Sequence, residues 1–437
     1  MKNQLNRRSF VKSAGLTSGA LLTVPFSLES MVNSSNEKKI KLALIGCGGR
    51  GTGAAVQALR ADAGVELVAM ADAFPDQIEN SLKAISEELD GERRIKVKEK
   101  NRYSGFNAYQ KAIDLADVVI LTTPPGFRPL HFEYAVNNDK HIFMEKPVAT
   151  DANGIRKVLK AAKLAESKKL NVVVGLQRRY QKSYKAIIDL IEKGNIGKIV
   201  SGQVYWNSAG VWVRKRKPSQ TEMEYQMRNW YYFNWLCGDH ILEQHIHNID
   251  VANWFIGEYP KSAQGMGGRQ VRNGIDHGEI FDHHFVEFTY PSGAVISSQC
   301  RHQPGTKSNV SEVFQGTKAS VFTSGDNGKI IDNNGTETYK YDSRGDESPY
   351  QIEHNMLFES IRSGGVINNA EYAAKTTLTA IMGRMATYTG KEITWDQALN
   401  SKQVLVPDNL SWDSPPPVLP DSNGRYAIPI PGVTKIT

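Results

Sequence analysis

The glycine loop in Lys41-Leu-Ala-Leu-Ile-Gly-Cys-Gly-Gly-Arg-Gly-Thr-Gly53 constrains this chain more than any other stretch. An apolar run over residues 42–45 reads as a buried strand. It enters Gly46, Gly48 and Gly51 at G-x-G-x-x-G spacing, with Gly49 and Arg50 inside the loop. An alanine-rich helical stretch over 54–61 follows. The glycines permit a tight turn, close approach of the backbone to a pyrophosphate, and close packing of helix on strand. The helix N-terminus then offers N–H groups and a positive dipole end to that pyrophosphate. A second apolar strand over 65–71 ends at Asp72, about twenty residues past the last glycine, where a carboxylate accepts hydrogen bonds from a ribose 2′-hydroxyl. The same carboxylate repels a 2′-phosphate, so NAD is expected in preference to NADP. Arg50 is placed to meet a phosphate instead.

At 437 residues the chain is long enough for two or three domains with a large core. The net charge of +7 is spread along the chain, apart from one basic run at 214–217 that reads as a solvated loop. No nucleic-acid-binding motif accompanies that run, and no nucleic-acid partner is expected. Cys47, Cys237 and Cys300 lack metal spacing, and an odd count gives no disulfide framework. At the N-terminus, Asn6-Arg-Arg-Ser-Phe-Val-Lys12 precedes a small and apolar stretch over 14–26 and a polar linker over 33–39. Paired arginines ahead of so short an apolar region resemble a twin-arginine export signal. Residues 1–35 are therefore excluded from the fold, and a periplasmic or exported location is expected. No later segment is long and apolar enough for a membrane span.

Residues 38–168 are expected to form the dinucleotide-binding domain. A charged, helix-compatible stretch occupies 77–100, and a further helix is expected within 103–113. Asp117-Val-Val-Ile-Leu-Thr-Thr123 is a buried strand running into Thr123-Pro124-Pro125-Gly126. Ligands of open parallel sheets bind beyond the carboxyl ends of strands, so this loop should border the nicotinamide. His141-Ile-Phe-Met-Glu145 is the next strand, with Glu145-Lys146-Pro147 at its end. Lys146 is placed to donate to a substrate hydroxyl or carbonyl oxygen, and Pro147 is a candidate for a cis bond.

The glycine loop, Thr123-Pro-Pro125, Glu145-Lys-Pro147 and Val174-Gly-Leu-Gln-Arg-Arg-Tyr180 together resemble the Gfo/Idh/MocA oxidoreductases over residues 40–395. The resemblance implies an α/β protein: an N-terminal Rossmann domain plus a C-terminal α/β domain with an open, mostly antiparallel sheet. It also implies hydride transfer between bound nicotinamide and a sugar or polyol carbon. One of Arg178 and Arg179 should then face the cleft beside Tyr180. A homodimer or homotetramer built through the second domain's sheet is a further implication.

Residues 169–400 are expected to form that second domain. Asn229-Trp-Tyr-Tyr-Phe-Asn-Trp235 is dense in aromatics, and Trp230 is a candidate platform for the C–H face of a sugar, although such residues serve equally as core. The sharpest constellation is Gly238-Asp-His-Ile-Leu-Glu-Gln-His-Ile-His-Asn-Ile-Asp250, read as one helix to Gly257. At about 3.6 residues per turn, His240, Glu243, His247 and Asp250 share one face. Glu243 and His247 lie one turn apart and can pair. A histidine near its ordinary pKa is suited to take a hydroxyl proton. His245 falls on the apolar face and reads as a core residue. The family pattern here is Asp, then His four residues later, then Asp three beyond. Aligned on Asn248-Ile-Asp250, it puts His247 at the histidine and Glu243, a departure, at the first aspartate. In Asp282-His283-His284, alternation puts His284 on the opposite face from His283, and His284 is a candidate for the cleft. None of these residues has zinc spacing, and no metal is expected. The stretch 326–346 reads as a polar surface excursion, and the proline-rich stretch 401–437 as an extended arm.

These residues imply an exported NAD-dependent oxidoreductase of a sugar, polyol or glycoside. His247, paired with Glu243, would act as base, and Lys146 would steady the oxyanion. The alternatives are an NAD-dependent glycosidase working through transient oxidation and elimination, and a non-catalytic sugar-binding protein with structural NAD.

Overall fold

The computed structural model describes residues 38–91 and 93–435, so the twin-arginine stretch lies outside the described residues. Near-continuous apolar runs form β1 (Ile40–Ile45), β2 (Val65–Asp72) and β4 (Val118–Leu121), as strands buried on both faces require. Short β3 (Arg102–Ser104) precedes β4 and sits at the sheet edge, and β5 (His141–Met144) and β6 (Val172–Val174) follow. Helices α1 (Gly49–Ala61), α2 (Pro75–Glu88), α3 (Ala108–Asp114), α4 (Arg128–Asn137) and α5 (Ala152–Ser167) make the crossovers. All pairings are parallel, in the order β3-β2-β1-β4-β5-β6. That order puts the loop after β1 at the switch point, where such sheets bind dinucleotides. Two expectations shift here. The helix within 77–100 ends at Glu88, and β6 carries the first sheet past residue 168.

The second sheet follows α6 (Lys182–Glu192) and β7 (Ile199–Ser208). Between β7 and β8 (Ser262–Gly268) lie α7 (Glu222–Arg228), α8 (Asn234–Cys237), α9 (His240–Glu243) and α10 (Ile246–Ile256). A meander then runs through β9 (His283–Thr289), β10 (Val295–His302), β11 (Asn309–Gly316), β12 (Ala319–Ser324), β13 (Asn327–Asp332) and β14 (Glu337–Lys340). The chain returns through α11 (Pro349–Ser363), α12 (Ala370–Thr389), β15 (Ile393–Thr394) and α13 (Trp395–Leu399). The order is β14-β13-β12-β11-β7-β10-β9-β8-β15, and only β7 and β10 run parallel. The stretch 326–346 is thus an edge hairpin rather than an excursion. Its polar residues suit strands with solvent beside them. Almost every residue of α12 is buried, because it packs on α5 of the first domain and on β8 and β9 of the second. One apolar core therefore runs through both domains.

Candidate active site

The backbone of the glycine loop is built to leave room. Gly46 has φ 95°, and a Cβ there would strike the backbone of Thr122 and Thr123. A Cβ on Gly51 would strike the Gly46 carbonyl, whereas at Gly48 and Gly49 it would meet nothing within 4 Å. Helix α1 starts at Gly49 with no side chain capping its first turn. An open backbone cradle at an uncapped N-terminus fits a pyrophosphate. Asp72 stands at the end of β2, where Oδ2 accepts from the Cys47 amide at 2.7 Å and Oδ1 from the Phe74 amide at 2.9 Å. Burial pushes its carboxyl up against the pull of those two amides. Each oxygen keeps a lone pair for a ribose hydroxyl, so the residues present fit a dinucleotide.

Arg50 departs from its expected phosphate role. Its Nε donates to Glu145 Oε1 at 2.5 Å, Nη1 to Gln57 at 2.8 Å and Nη2 to Glu353 at 3.0 Å. The Tyr350 ring lies 5.0 Å away. Carboxylates from two distant segments hold this guanidinium.

Across the switch point, a cavity of about 310 Å³ opens at the ends of β4, β5 and β6. Thr123, Pro125, Glu145, Lys146, Glu243 and His247 line it, with Trp206 and Trp230 as aromatic walls. Pro124 supports the turn that begins at Pro125. The Lys146–Pro147 bond is cis.

The expected single helix over 238–257 is broken. α9 stops at Glu243 and α10 starts at Ile246. The His245 amide reaches back to the His240 carbonyl at 3.2 Å, and the His247 amide bonds the Gln244 carbonyl at 3.3 Å. In an unbroken helix the His247 amide would instead occupy the Glu243 carbonyl. Freed by the break, that carbonyl accepts Lys146 Nζ at 2.6 Å, and Glu243 Oε1 lies 3.7 Å from the same nitrogen. Glu243 is therefore the partner of Lys146. The expected pairing with His247 is not formed, because Glu243 Oε2 and His247 Nδ1 are both buried without a hydrogen-bond partner. His247 instead stacks on Trp206, with ring centroids 6.0 Å apart.

Burial raises the Glu243 carboxyl to about 7, with Lys146 pulling it down and Glu145 pushing it up. Burial, then Lys146, holds the His247 imidazole well below its usual range, so it is neutral near pH 7. The sequence reading placed it near its ordinary pKa, and the dry, cationic surroundings account for the difference.

Of the cleft residues not expected from the sequence, two carry buried polar atoms without partners. Arg128, in the first turn after the Thr123-Pro-Pro-Gly126 loop, is 1% exposed and lines the cavity. Its Nη2 donates to the Thr123 carbonyl, but Nε and Nη1 have no partner, and burial lowers it to about 10. Gln177 also lines the cavity, with Oε1 partnerless. It stands immediately before Arg178 and Arg179.

Arg178 and Arg179, one of which is expected at the cleft, do not line it. Arg178 pairs with Glu312. Arg179 grips Asp250 through two bonds of 2.8 and 2.9 Å, and its guanidinium lies 4.0 Å from the Tyr372 ring centroid. Tyr180 is buried and donates to Asn369. None of the three lines the cleft, because each has a fixed partner beneath it.

His240 and His284 are likewise buried away from the cleft, around Asp239. Asp239 Oδ1 accepts from the His240 amide and Nδ1, and Oδ2 from the Phe281 amide and the Tyr388 hydroxyl, with His284 Nε2 at 3.3 Å. Burial alone would raise Asp239, but His284 and His240 outweigh it and hold the carboxyl well below its usual range. Ligand-type atoms of these three residues lie within 4.8 Å of one another. The carboxylate's lone pairs are nevertheless committed to donors, which makes the cluster a hydrogen-bonded hub joining α9, β9 and α12. His245, on the apolar side, bonds Ser298 at 2.7 Å.

Residues 40–176 match the family model described as an oxidoreductase family with an NAD-binding Rossmann fold. Residues 184–322 match the GFO/IDH/MocA C-terminal domain. An inositol 2-dehydrogenase of Rhizobium meliloti (strain 1021) is 27% identical over 284 residues, covering 64% of this chain and 74% of that protein. A 2,7-anhydro-N-acetylneuraminate hydratase of Escherichia coli (strain K12) is 27% identical over 210 residues, covering 47% of this chain and about half, 51%, of that protein. Among solved structures, levoglucosan dehydrogenase in complex with NADH and levoglucosan superposes with a TM-score of 0.63. It is 16% identical and covers 82% of this chain and 100% of its own. Aldose-aldose oxidoreductase from Caulobacter crescentus has the same TM-score and coverage at 17% identity. At such identities the superpositions show the fold, and the two family matches, which together span more than half of the sequence, show the descent. The chain belongs to the GFO/IDH/MocA oxidoreductase family.

Proposed function

We propose that this protein is an NAD-dependent oxidoreductase that acts outside the cytoplasm on a secondary hydroxyl of a sugar, polyol or glycoside. One observation carries the reading. Four residues lining one cavity bear buried polar atoms without partners: donors on Arg128, and acceptor-capable atoms on Gln177, Glu243 and His247. Leaving such atoms unmet costs roughly 1–3 kcal/mol each. A ligand with several hydroxyls, each able to donate and accept, meets donors and acceptors together. Trp206 and Trp230 suit its C–H faces. The inositol dehydrogenase relative and the levoglucosan and aldose enzymes of the same fold support this substrate class.

Bound NAD would supply the hydride acceptor. Neutral His247 accepts a hydrogen bond from the reacting hydroxyl. Glu243, whose pKa of about 7 matches the working pH, takes the proton. Lys146, held by the Glu243 carbonyl, donates to the developing oxyanion. The paired arginines at residues 7 and 8 support export of the folded, loaded protein.

A second reading is glycoside cleavage by transient oxidation, elimination and return of the hydride. The hydratase relative, whose name denotes no net redox change, favours it. The deciding experiment purifies the protein without added cofactor, identifies any released dinucleotide by mass, and follows reduced nicotinamide against a panel of polyols and glycosides. NAD with a lasting rise in reduced cofactor supports the dehydrogenase. NAD with aglycone release and no lasting rise supports the second reading. A protein that neither carries nor binds NAD or NADP overturns both.

A further inference from the structure

A second cavity, of about 320 Å³, lies at the other side of the glycine loop. Ala73, Phe74, Ser104 and Gly105 line it at the ends of β2 and β3, and Thr221, which caps α7, Glu224 of α7 and Trp412 of the C-terminal arm line its other side. The sheet order fixes the relation between the two cavities: β3 and β2 lie on one side of β1, and β4, β5 and β6 on the other. The glycine loop after β1 therefore stands between the cleft at Lys146 and this second cavity. Asp72, the ribose-binding candidate, immediately precedes Ala73. A dinucleotide with its pyrophosphate on the loop and its nicotinamide over Lys146 extends its other half this way.

The Rossmann arrangement brings the adenosine half of a dinucleotide to this cavity, and we propose that the C-terminal arm, through Trp412, holds it there. The inference rests on the NAD reading above. Purines bind through flat apolar faces, and the cavity is walled by rings. Trp412 lies 5.1 Å from the Phe74 ring centroid and 4.6 Å from that of Phe106. The arm is not loosely laid on the surface. Before Trp412, the Leu405 amide donates to Asp151 Oδ2 at 2.7 Å. After it, the Val418 carbonyl accepts from Gln226 Nε2 at 2.7 Å, and Tyr426 packs edge-on against Phe233 at 5.0 Å. α7 is fastened as well: Arg228 takes both oxygens of Asp76 at 2.9 Å and covers the Phe74 ring. Three segments remote in sequence thus share one cavity. The arm thus adds a fixed ring contact to the adenosine half, which slows its departure and favours retention of the cofactor between turnovers.

The test compares full-length wild type, Trp412→Ala and Trp412→Phe, loaded with NAD and chased with excess ADP-ribose. Loss of one base–aromatic stack should speed NAD dissociation in Trp412→Ala by about ten-fold, with Trp412→Phe close to wild type. Binding of nicotinamide mononucleotide should be unchanged by either substitution, because it does not reach this cavity. A folded Trp412→Ala that releases NAD at the wild-type rate overturns the proposal. Should that variant fail to fold, hydrogen exchange of wild type decides: NAD must protect residues 405–418, and unchanged exchange there overturns the proposal. Wild type that binds no dinucleotide overturns the NAD reading itself, which separates the two failures.

Discussion

Glu312 on β11, fully buried, and Glu243 at the end of α9, whose side chain is 13% exposed, are both carboxylates of the second domain, with different neighbours. Glu312 Oε1 accepts from Arg178 and from Asn248 Nδ2 at 2.6 Å, and Oε2 accepts from Tyr184 at 3.0 Å and Thr323 at 2.6 Å. Glu243 has only Lys146 Nζ, 3.7 Å from Oε1, while Oε2 has no partner. Burial raises both carboxyls, the second to about 7. A network closed on itself spends its polar groups on fixing the packing of α6, α10 and β11. An open one leaves valences for a ligand and a pKa near neutrality. Chemistry-bearing residues in a sequence become a site only where the fold leaves them unfinished.

The largest effect that tests this contrast is on stability. Glu312→Ala strands Arg178 in the core and should cost about 3–5 kcal/mol in chemical denaturation. At pH 5, where its carboxyl is protonated, Glu243→Gln should change stability by about 1 kcal/mol or less, because no geometry is closed around it. Equal losses would break the distinction. Next comes Lys146→Met, which should lower kcat about 10²–10³-fold on whichever polyol wild type oxidises, at unchanged folding stability. Turnover within a few-fold of wild type would remove Lys146 from the chemistry.

The pH dependence sharpens the contrast at Glu243. The carboxylate forms as pH rises through about 7, so kcat should rise across that range, and Glu243→Gln should lose the rise. The same raised pKa has a thermodynamic sign. Relative to an ordinary value of 4.5, the buried acid contributes stability below that value, and the contribution is lost as pH rises through about 7. Wild type should therefore lose stability between pH 5 and 8 relative to Glu243→Gln, by denaturant titration at about each unit. A parallel pair of curves would place the carboxyl at an ordinary pKa.

What the sequence made legible was local. Strand, glycine loop and helix at residues 40–61 act within one βαβ unit, and their spacing carries its own physics. The cleft residues Thr123 and Lys146 are legible for the same reason, each following a short buried strand, β4 or β5. What stayed hidden depended on distant partners. The helix break at Gln244 is visible only once Lys146, 97 residues earlier, is seen to take the Glu243 carbonyl. Arg178 and Arg179 looked like cleft residues because their acids lie 134 and 71 residues away. A lone arginine after a turn is ordinary in a sequence, and only burial and missing partners mark Arg128. The β13–β14 hairpin is hard to see in sequence because β14, the edge strand beside solvent, has no apolar alternation to display, and β13 shows it only at Gly328 and Ile330.

The smallest expected effect concerns Trp206, whose ring stacks on His247 and walls the cleft from β7. It is half-buried, so shortening it opens no sealed cavity of the kind that follows truncation in the core. Aromatic contacts of this geometry are worth about 0.5–1.5 kcal/mol beyond their area. Trp206→Leu should therefore raise KM about three- to ten-fold while leaving the rise of kcat through pH 7 intact, since Glu243 keeps its surroundings. Steady-state kinetics at several pH values separate the possibilities. A change in the pH profile would mean that Trp206 acts on the acid–base groups through His247. An unchanged KM would mean that the substrate does not lie on this ring, and that the sugar face belongs to Trp230 alone.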